Sequence, residues 1–419
     1  MATSPRVPDS DPPEGAPEPD SDPPPPPKKR PRNIERPTIP APTDSIGRYR
    51  VMDDFRLADL ESVRLVLRGG SVIDWYRMNF QSMDEVHEFI HSQEIDQANA
   101  EDRRRTERVR DAAISYLRRN YEFPIPKPVA HASLDDLLLI ASSKGHRQLC
   151  ACTILKVMHI IHHLEARELL FTLATSDQEV FQLVEQKVYR VMGAMLARGL
   201  PIVEVIGGRK NKDSLYTKLL SKRETIAAQI YDKVRFRIVT RSASDIFPTL
   251  NYLMRHLFPF NYAIPGESTN TLFQFRKYCK TNSRLAKLFK HMQLAPDIEE
   301  KASQVDNRFT ASTYRVVQFV ADVPVQLPDE MLRHAPLEAR GLGRVVFVQT
   351  EFQVIDRDSE QVNELGEASH AAYKQRQKLA VMRRLKVGSE DQYPVRPPVR
   401  RKARQPTEAA ARGRAAPRT

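Results

Sequence analysis

The spacing of apolar positions divides the chain into a helical half and a half in which strands and helices alternate. Leu57, Leu60 and Val63 fall on one helix face, and Ala112 to Tyr121 marks another. From Leu134 to Leu200 the period is helical again. There Ser176 and Glu179 form a capping box, and Gly199 stands where the helix they start should end. Beyond residue 200 the period shortens. Val203 to Ile206 reads as a short strand, Gln229 to Thr240 as a longer one, and Tyr314 to Val323 as a third. In the stretch that begins at Gln349, Glu351, Gln353 and Ile355 alternate with Phe352 and Val354, which puts a carboxylate and an amide on one strand face. Ser244 and Asp245 open an amphipathic helix that reaches Leu257. A largely helical insertion runs from about Thr271 to Asp306, and a second insertion from about Gln326 to Gly343. The closing stretch reads as one helix over Asn363–Lys374, continued to about Leu385. These periods predict a mixed α/β (α+β) domain over residues 201–387, preceded by a helical domain over 46–200.

Composition adds the two ends. Residues 1–45 are acidic and rich in proline, with Pro23 to Pro27 unbroken before Lys28-Lys29-Arg30, and such a segment cannot bury a core. Residues 388–419 form a basic tail, in which Arg396 to Arg418 holds eight Arg or Lys against Glu408 alone. Sixty-five Lys and Arg against 53 Asp and Glu leave a net charge of +12, which suits an anionic partner. Both ends read as disordered. Three cysteines make no disulfide framework, so the reduced cytoplasm is the predicted compartment. No apolar run predicts a membrane span, and no membrane partner is expected.

The chemistry-bearing residues are unevenly informative. Gly69-Gly70-Ser71 before Asp74-Trp75 reads as a plain turn, and Glu101 to Arg110 as a solvated helix face. His159 and His163 are four apart on one helix face, yet no Glu, Cys or Asp pattern completes a metal site, so they read as structural. After residue 206, Gly207-Gly208 opens a basic loop with Arg209, Lys210 and Lys212, and Ser214 and Lys218 follow on one face of a helix. Glycines admit phosphate to the backbone, and Arg and Lys neutralise it. Asp232 and Glu351 stand on separate strands, and two carboxylates on neighbouring strands can hold Mg²⁺.

A Glu-x-Gln strand, then about ten residues, then Glu364, Gly366, Ala368, His370, Tyr373 and Lys374 resembles the end of the alarmone synthetase domain of the RelA/SpoT family. Asn363, Ser369 and Ile355 depart from that pattern. Gly208, Arg209, Ser214 and Lys218 match the family's ATP-binding segment, with Lys210 or Lys212 as its second basic residue. Asp232, Arg237 and Val239 match its next strand, and Asn261 to Pro265 is similar to a later segment. Phe309 stands where the family's loop carries a base-stacking Tyr, while Arg308 and Thr313 replace a Gly and a His. The resemblance implies a nucleotidyltransferase-like mixed sheet and transfer of pyrophosphate from ATP to the 3′-hydroxyl of a guanine nucleotide. It implies that Asp232 and Glu351 hold Mg²⁺ and that Glu351 accepts the hydroxyl proton. Arg209 and Lys218 would clamp the ATP phosphates, with Lys210, Ser214, Arg237 and His370 in the nucleotide-binding set. Gln353 and Phe309 would seat the acceptor. The chain has no His-Asp dipeptide, so the hydrolase of the long family members is not implied. Two alternatives stand beside this reading: transfer to an RNA 3′ end, and a non-catalytic regulatory or nucleic-acid-binding protein on the same scaffold. The basic tail can reach RNA or a ribosome through phosphate charge.

Overall fold

The computed structural model of the chain describes residues 50–69, 78–209, 211–221, 233–292, 311, 313–333 and 335–385. Lys210, Asp232, Phe309, Asp74, Trp75 and the two ends lie outside the described residues. Among the described residues seven α-helices come before the first strand: α1 (Leu57–Arg68), α2 (Met83–Ser92), α3 (Ala100–Tyr121), α4 (Lys127–Ala130), α5 (Leu134–Ala141), α6 (His146–Thr172) and α7 (Asp177–Ala197). Then follow β1 (Ile202–Arg209), α8 (Lys212–Ser221), β2 (Val234–Thr240), α9 (Ile246–His256) and β3 (Thr269–Asn270). The rest comprises α10 (Phe275–Thr281), α11 (Ser283–His291), β4 (Val317–Gln326), α12 (Asp329–Leu332), β5 (Val345–Asp356), α13 (Arg357–Asn363) and α14 (His370–Arg384).

The local signals work where they are strong. Ser176 and Glu179 close the capping box of α7, and Gly199 follows its C-cap at φ +74°. Gly69 ends α1 in the left-handed region, where its amide reaches the carbonyls of Leu65 and Val66. Asn282 caps α11 by accepting from the amides of Arg284 and Leu285.

The five strands form one mixed sheet in the order β1-β2-β5-β4-β3. The central pair β2 and β5 is parallel, and the other three pairs are antiparallel. One face is apolar: Phe236 of β2 and Phe352 of β5 stack at 6.0 Å, and Phe319 of β4 stacks on Phe352 at 5.5 Å. On this face α1, α7 and α9 supply Leu60, Val63, Val184, Val188, Leu250 and Leu253 to the same core. A second apolar cluster gathers α2, α3, α5 and α6 around Ile90, Ala113, Leu137 and Ile154. Among the described residues α6 is long and apolar enough to cross a membrane by length and composition; its Cys150, Ile154 and Leu169 are buried in packing within the protein.

Two elements differ from the sequence expectation. The strand read as ending at Ile206 runs on through Gly207-Gly208-Arg209, so these are ladder residues and not a loop. The ring of Tyr189 on α7 lies against Gly207, edge-on to Phe236 at 5.7 Å, and only a residue without a side chain leaves room for it. The helix read over Asn363–Lys374 breaks in two. α13 ends at Asn363 with Glu364 as its C-cap, Gly366 at φ +59° opens a 3₁₀ turn over Gly366–Ala368, and Ser369 caps α14 by accepting from the amide of Ala372. The helix then continues to Arg384, as its period predicts.

Candidate functional site

The parallel register of β2 and β5 pairs Arg235 with Glu351 and Arg237 with Gln353. These four residues share the face opposite Phe236 and Phe352, because side chains alternate along a strand. The next strand, β4, adds Gln318 opposite Gln353. Glu351 and Gln353 are 5% and 9% exposed, so a carboxylate and an amide are held inside the protein on a sheet whose other face is oily. Burial of such groups is costly unless they are paired.

The pairing is a continuous chain. Gln353 Nε2 donates to Glu351 Oε1 at 2.7 Å, and more weakly to Gln318 Oε1 at 3.4 Å. Gln353 Oε1 accepts from the Arg237 guanidinium, from Nε at 3.3 Å and Nη2 at 3.2 Å. Glu360 of α13 stands 3.8 Å from the same guanidinium. Tyr314 enters from the segment before β4. Burial holds its phenol above the usual range, and the Glu351 carboxylate adds to this, against the pull of Arg237 and Arg235. Two carboxylates, two arginines, two amides and a phenol therefore gather around the C-terminal half of β5. This arrangement can orient an anionic group through the arginines, and Glu351 can take a proton or offer oxygen to a hard cation.

Asn363, one residue of the family-like closing stretch, is tied into the same region. Its side chain accepts from the Arg315 amide at 2.9 Å and donates to the Arg315 carbonyl at 2.7 Å, which fixes the approach of the Tyr314 segment.

The remaining sequence candidates are spread more widely. Arg209 pairs with Val234 in the ladder, which puts it on the apolar face, away from Glu351. Its guanidinium makes a two-pronged pair with Glu185 of α7, both contacts at 2.7 Å, and lies over the Phe181 ring at 5.9 Å. Hydrogen bonding to Glu185 raises its pKa further. Ser214 and Lys218 sit on α8, whose start is fixed by Asn211 accepting from the Ser214 amide. That helix packs against α14, where Arg384 donates to the carbonyls of Leu219 and Leu220. His370 is exposed in the first turn of α14, its ring 6.5 Å from Tyr373. Sheet geometry thus unites Glu351, Gln353 and Arg237, while Arg209 is turned to the other face. Asp232 and Phe309 lie outside the described residues; the strand that follows Asp232 is the one that pairs with β5.

Arg235, Gln318, Tyr314 and Glu360 are members of the polar layer that sequence reasoning missed. Arg235 had a signal, since Val-Arg-Phe-Arg-Ile alternates and puts Arg235 with Arg237. For Tyr314, Gln318 and Glu360 only the folded chain brings the segments together. His159 and His163 lie together on α6. Their rings are 4.2 Å apart, His159 Nδ1 meets Asn261 Nδ2 at 3.2 Å, and His163 lies flat on Phe347 at 4.0 Å. Among the described residues no group of three or more His, Cys, Asp or Glu is placed to hold a metal. Glu351 fits Mg²⁺ as a single oxygen ligand, since that ion keeps several waters and is bound through one or two carboxylates plus nucleotide phosphates.

The architecture is that of a mixed α/β protein with a buried carboxylate and two half-buried arginines on one sheet face. No protein-family model matches the chain, and no curated protein matches it. Among solved structures it is similar to the small alarmone synthetase 1 from Bacillus subtilis, with 13% identity over 50% of this chain and 88% of that one and a TM-score of 0.27. The small alarmone synthetase 2 from Bacillus subtilis gives 16% identity, 50% and 94% coverage and a TM-score of 0.27. A GTP pyrophosphokinase family protein from Streptococcus pneumoniae gives 13%, 51%, 90% and 0.23. What the sheet face can do follows from its side chains.

Proposed function

We propose that the chain is a Mg²⁺-dependent pyrophosphotransferase that moves pyrophosphate from ATP to the 3′-hydroxyl of a guanine nucleotide. One observation carries this reading: Glu351, buried on β5, stands opposite Arg235 of the parallel neighbour β2 and is linked through Gln353 to Arg237. A buried carboxylate beside two guanidinium groups has a use where a polyphosphate and its cation come together. In this reading the acceptor 3′-oxygen attacks the β-phosphorus of ATP, the bond from that phosphorus to the α–β bridging oxygen breaks, and AMP leaves. Glu351 takes the hydroxyl proton and, with Asp232, holds Mg²⁺, which supplies neutralisation of the charge on the phosphates. Arg237 and Arg235 orient phosphate oxygens. Gln353 keeps Glu351 aimed, through the hydrogen bond at 2.7 Å. Lys218, Ser214 and Lys210 extend the phosphate contacts, and Phe309 with Tyr314 gives the acceptor base aromatic surface. His370, exposed at the start of α14, would join the nucleotide contacts from that helix. The work is positioning and charge stabilisation, with little covalent chemistry for the protein.

A second reading is favoured by Arg209, whose guanidinium is already bound by Glu185. A nucleotide-binding regulatory protein needs no free clamp on the donor phosphates. One experiment separates the two. The chain is incubated with labelled ATP, Mg²⁺ and a panel of GDP, GTP, AMP and tRNA, beside Glu351→Gln. Labelled product on a guanine nucleotide, lost in the variant, is the expected result. Product on tRNA instead would move the acceptor to an RNA 3′ end. Nucleotide binding with no transfer to any acceptor would leave the regulatory reading.

A further inference from the structure

Between β3 and β4 the chain inserts the helical hairpin α10–α11, and its charge is one-sided. From Ser268 to Met292 there are six Arg or Lys and no Asp or Glu: Arg276, Lys277, Lys280, Arg284, Lys287 and Lys290. The chain as a whole is only +12, so this short segment carries half of the excess. All six residues are exposed. Three carboxylates stand near it: Asp53 and Asp54 on the 3₁₀ turn Met52–Asp54 that packs against α11, and Asp245, which acts on Tyr278 of α10, so six cations face three anions and the surface keeps a positive balance. Lys277, Lys280, Lys287 and Lys290 take part in no ion pair among the described residues.

The apolar side of the hairpin is already used. Phe275 stacks on Phe247 at 5.7 Å, Tyr278 lies 4.5 Å from the same ring, and Cys279 and Leu285 are fully buried. Leu288 and Phe289 pack on the same core, and the Arg284 Nε donates to the Phe55 carbonyl at 3.0 Å. A basic amphipathic helix that binds a bilayer or a partner groove must offer its apolar side. This one cannot without unfolding. What remains outside is an array of ammonium and guanidinium groups, with no exposed Phe, Tyr or Trp ring among them.

We propose that the α10–α11 hairpin is a docking surface for the phosphate backbone of a nucleic acid, independent of its base sequence. The surface is separate from the Glu351 layer, and its occupancy does not depend on catalysis. Its test is the salt dependence of binding by the full chain to a fluorescent single-stranded RNA. If four lysines each neutralise one phosphate, affinity falls about 50-fold between 50 and 200 mM salt, from a slope of roughly −0.7 per phosphate. Replacing Lys277, Lys280, Lys287 and Lys290 together by Gln should flatten that slope by about 3 and weaken binding at least tenfold at low salt. The melting temperature should not move, because all four side chains are exposed. A single-stranded DNA of the same length should behave alike. A parallel variant in which Arg400, Arg401, Lys402 and Arg404 are Gln should leave the lysine-dependent part of the slope in place. The proposal is overturned if the four-lysine variant keeps the full slope, or if the tail variant alone removes it. It is also overturned if the wild-type chain binds phosphatidylserine vesicles through these lysines but not RNA.

Discussion

Gly207 and Gly208 are adjacent and chemically identical, yet the fold gives them opposite consequences. A Cβ on Gly207 would be pressed well inside contact distance of the Tyr189 hydroxyl and would lie 2.8 Å from Phe236 Cε1. Phe236 is fully buried between Tyr189 and Phe352, so it has little room to move. Gly207→Ala therefore forces the Tyr189 ring off its site, an overpacking cost of about 1–3 kcal/mol. Relief of glycine's strand penalty, roughly 0.5–1 kcal/mol, offsets only part of it. At Gly208 a Cβ meets nothing within 4 Å, and the residue pairs with Arg235 on the Glu351 face. Gly208→Ala should leave stability unchanged or slightly raised, and should weaken nucleotide binding if phosphate approaches that face. Urea unfolding of the two variants, followed by circular dichroism and paired with ATP titration, reads both effects. Tyr189→Phe in the Gly207→Ala background should return part of the loss, because it removes the crowded hydroxyl. The reasoning fails if Gly207→Ala is neutral while Gly208→Ala is destabilised. That pattern would mean the two glycines form a flexible phosphate loop after all.

Glu351→Gln preserves shape and removes the carboxylate, so transfer should fall by orders of magnitude, several kcal/mol of barrier, while the fold survives; retained turnover would take Glu351 out of the chemistry. Glu185→Gln should cost stability by no more than about 1 kcal/mol, since the pair is partly exposed. It should tighten ATP binding if Arg209 is then free to meet phosphate, and an unchanged affinity in isothermal titration would show that Arg209 plays no part. Burial pushes His256 down to about 3 and holds His159 and His162 well below the ordinary 6.5. Below pH 6.5 the unfolded chain takes up protons that the folded chain refuses, so stability is lost as pH falls, by about 2 kcal/mol at pH 5 for His256 and in the same direction for His159 and His162. Urea midpoints at pH 7 and pH 5, with the ring resonances of these three residues followed by NMR, check this; resonances that titrate near pH 6.5 would contradict it.

The alternation of Glu351 and Gln353 with Phe352 and Val354 was legible without a structure, because a strand's two faces are written in its period. So were the caps at Ser176 and Gly199, since each is satisfied by residues within one turn. Sequence also put Arg237 in the strand that pairs with Glu351, through order and resemblance. Partners far apart in the chain were another matter. Gly207-Gly208-Arg209 looks like a phosphate loop in sequence, and only Tyr189, on a helix eighteen residues earlier, makes it a strand packed too tightly for a side chain. Arg209 faces Glu185 because the ladder register sets its side, and a shift of one residue would have turned it toward Glu351. Tyr314, Gln318 and Glu360 carry no local signal of their role. Their meeting with Arg237, Gln353 and Glu351 depends on which strands are neighbours, and that is decided by burial of the apolar face across the whole sheet.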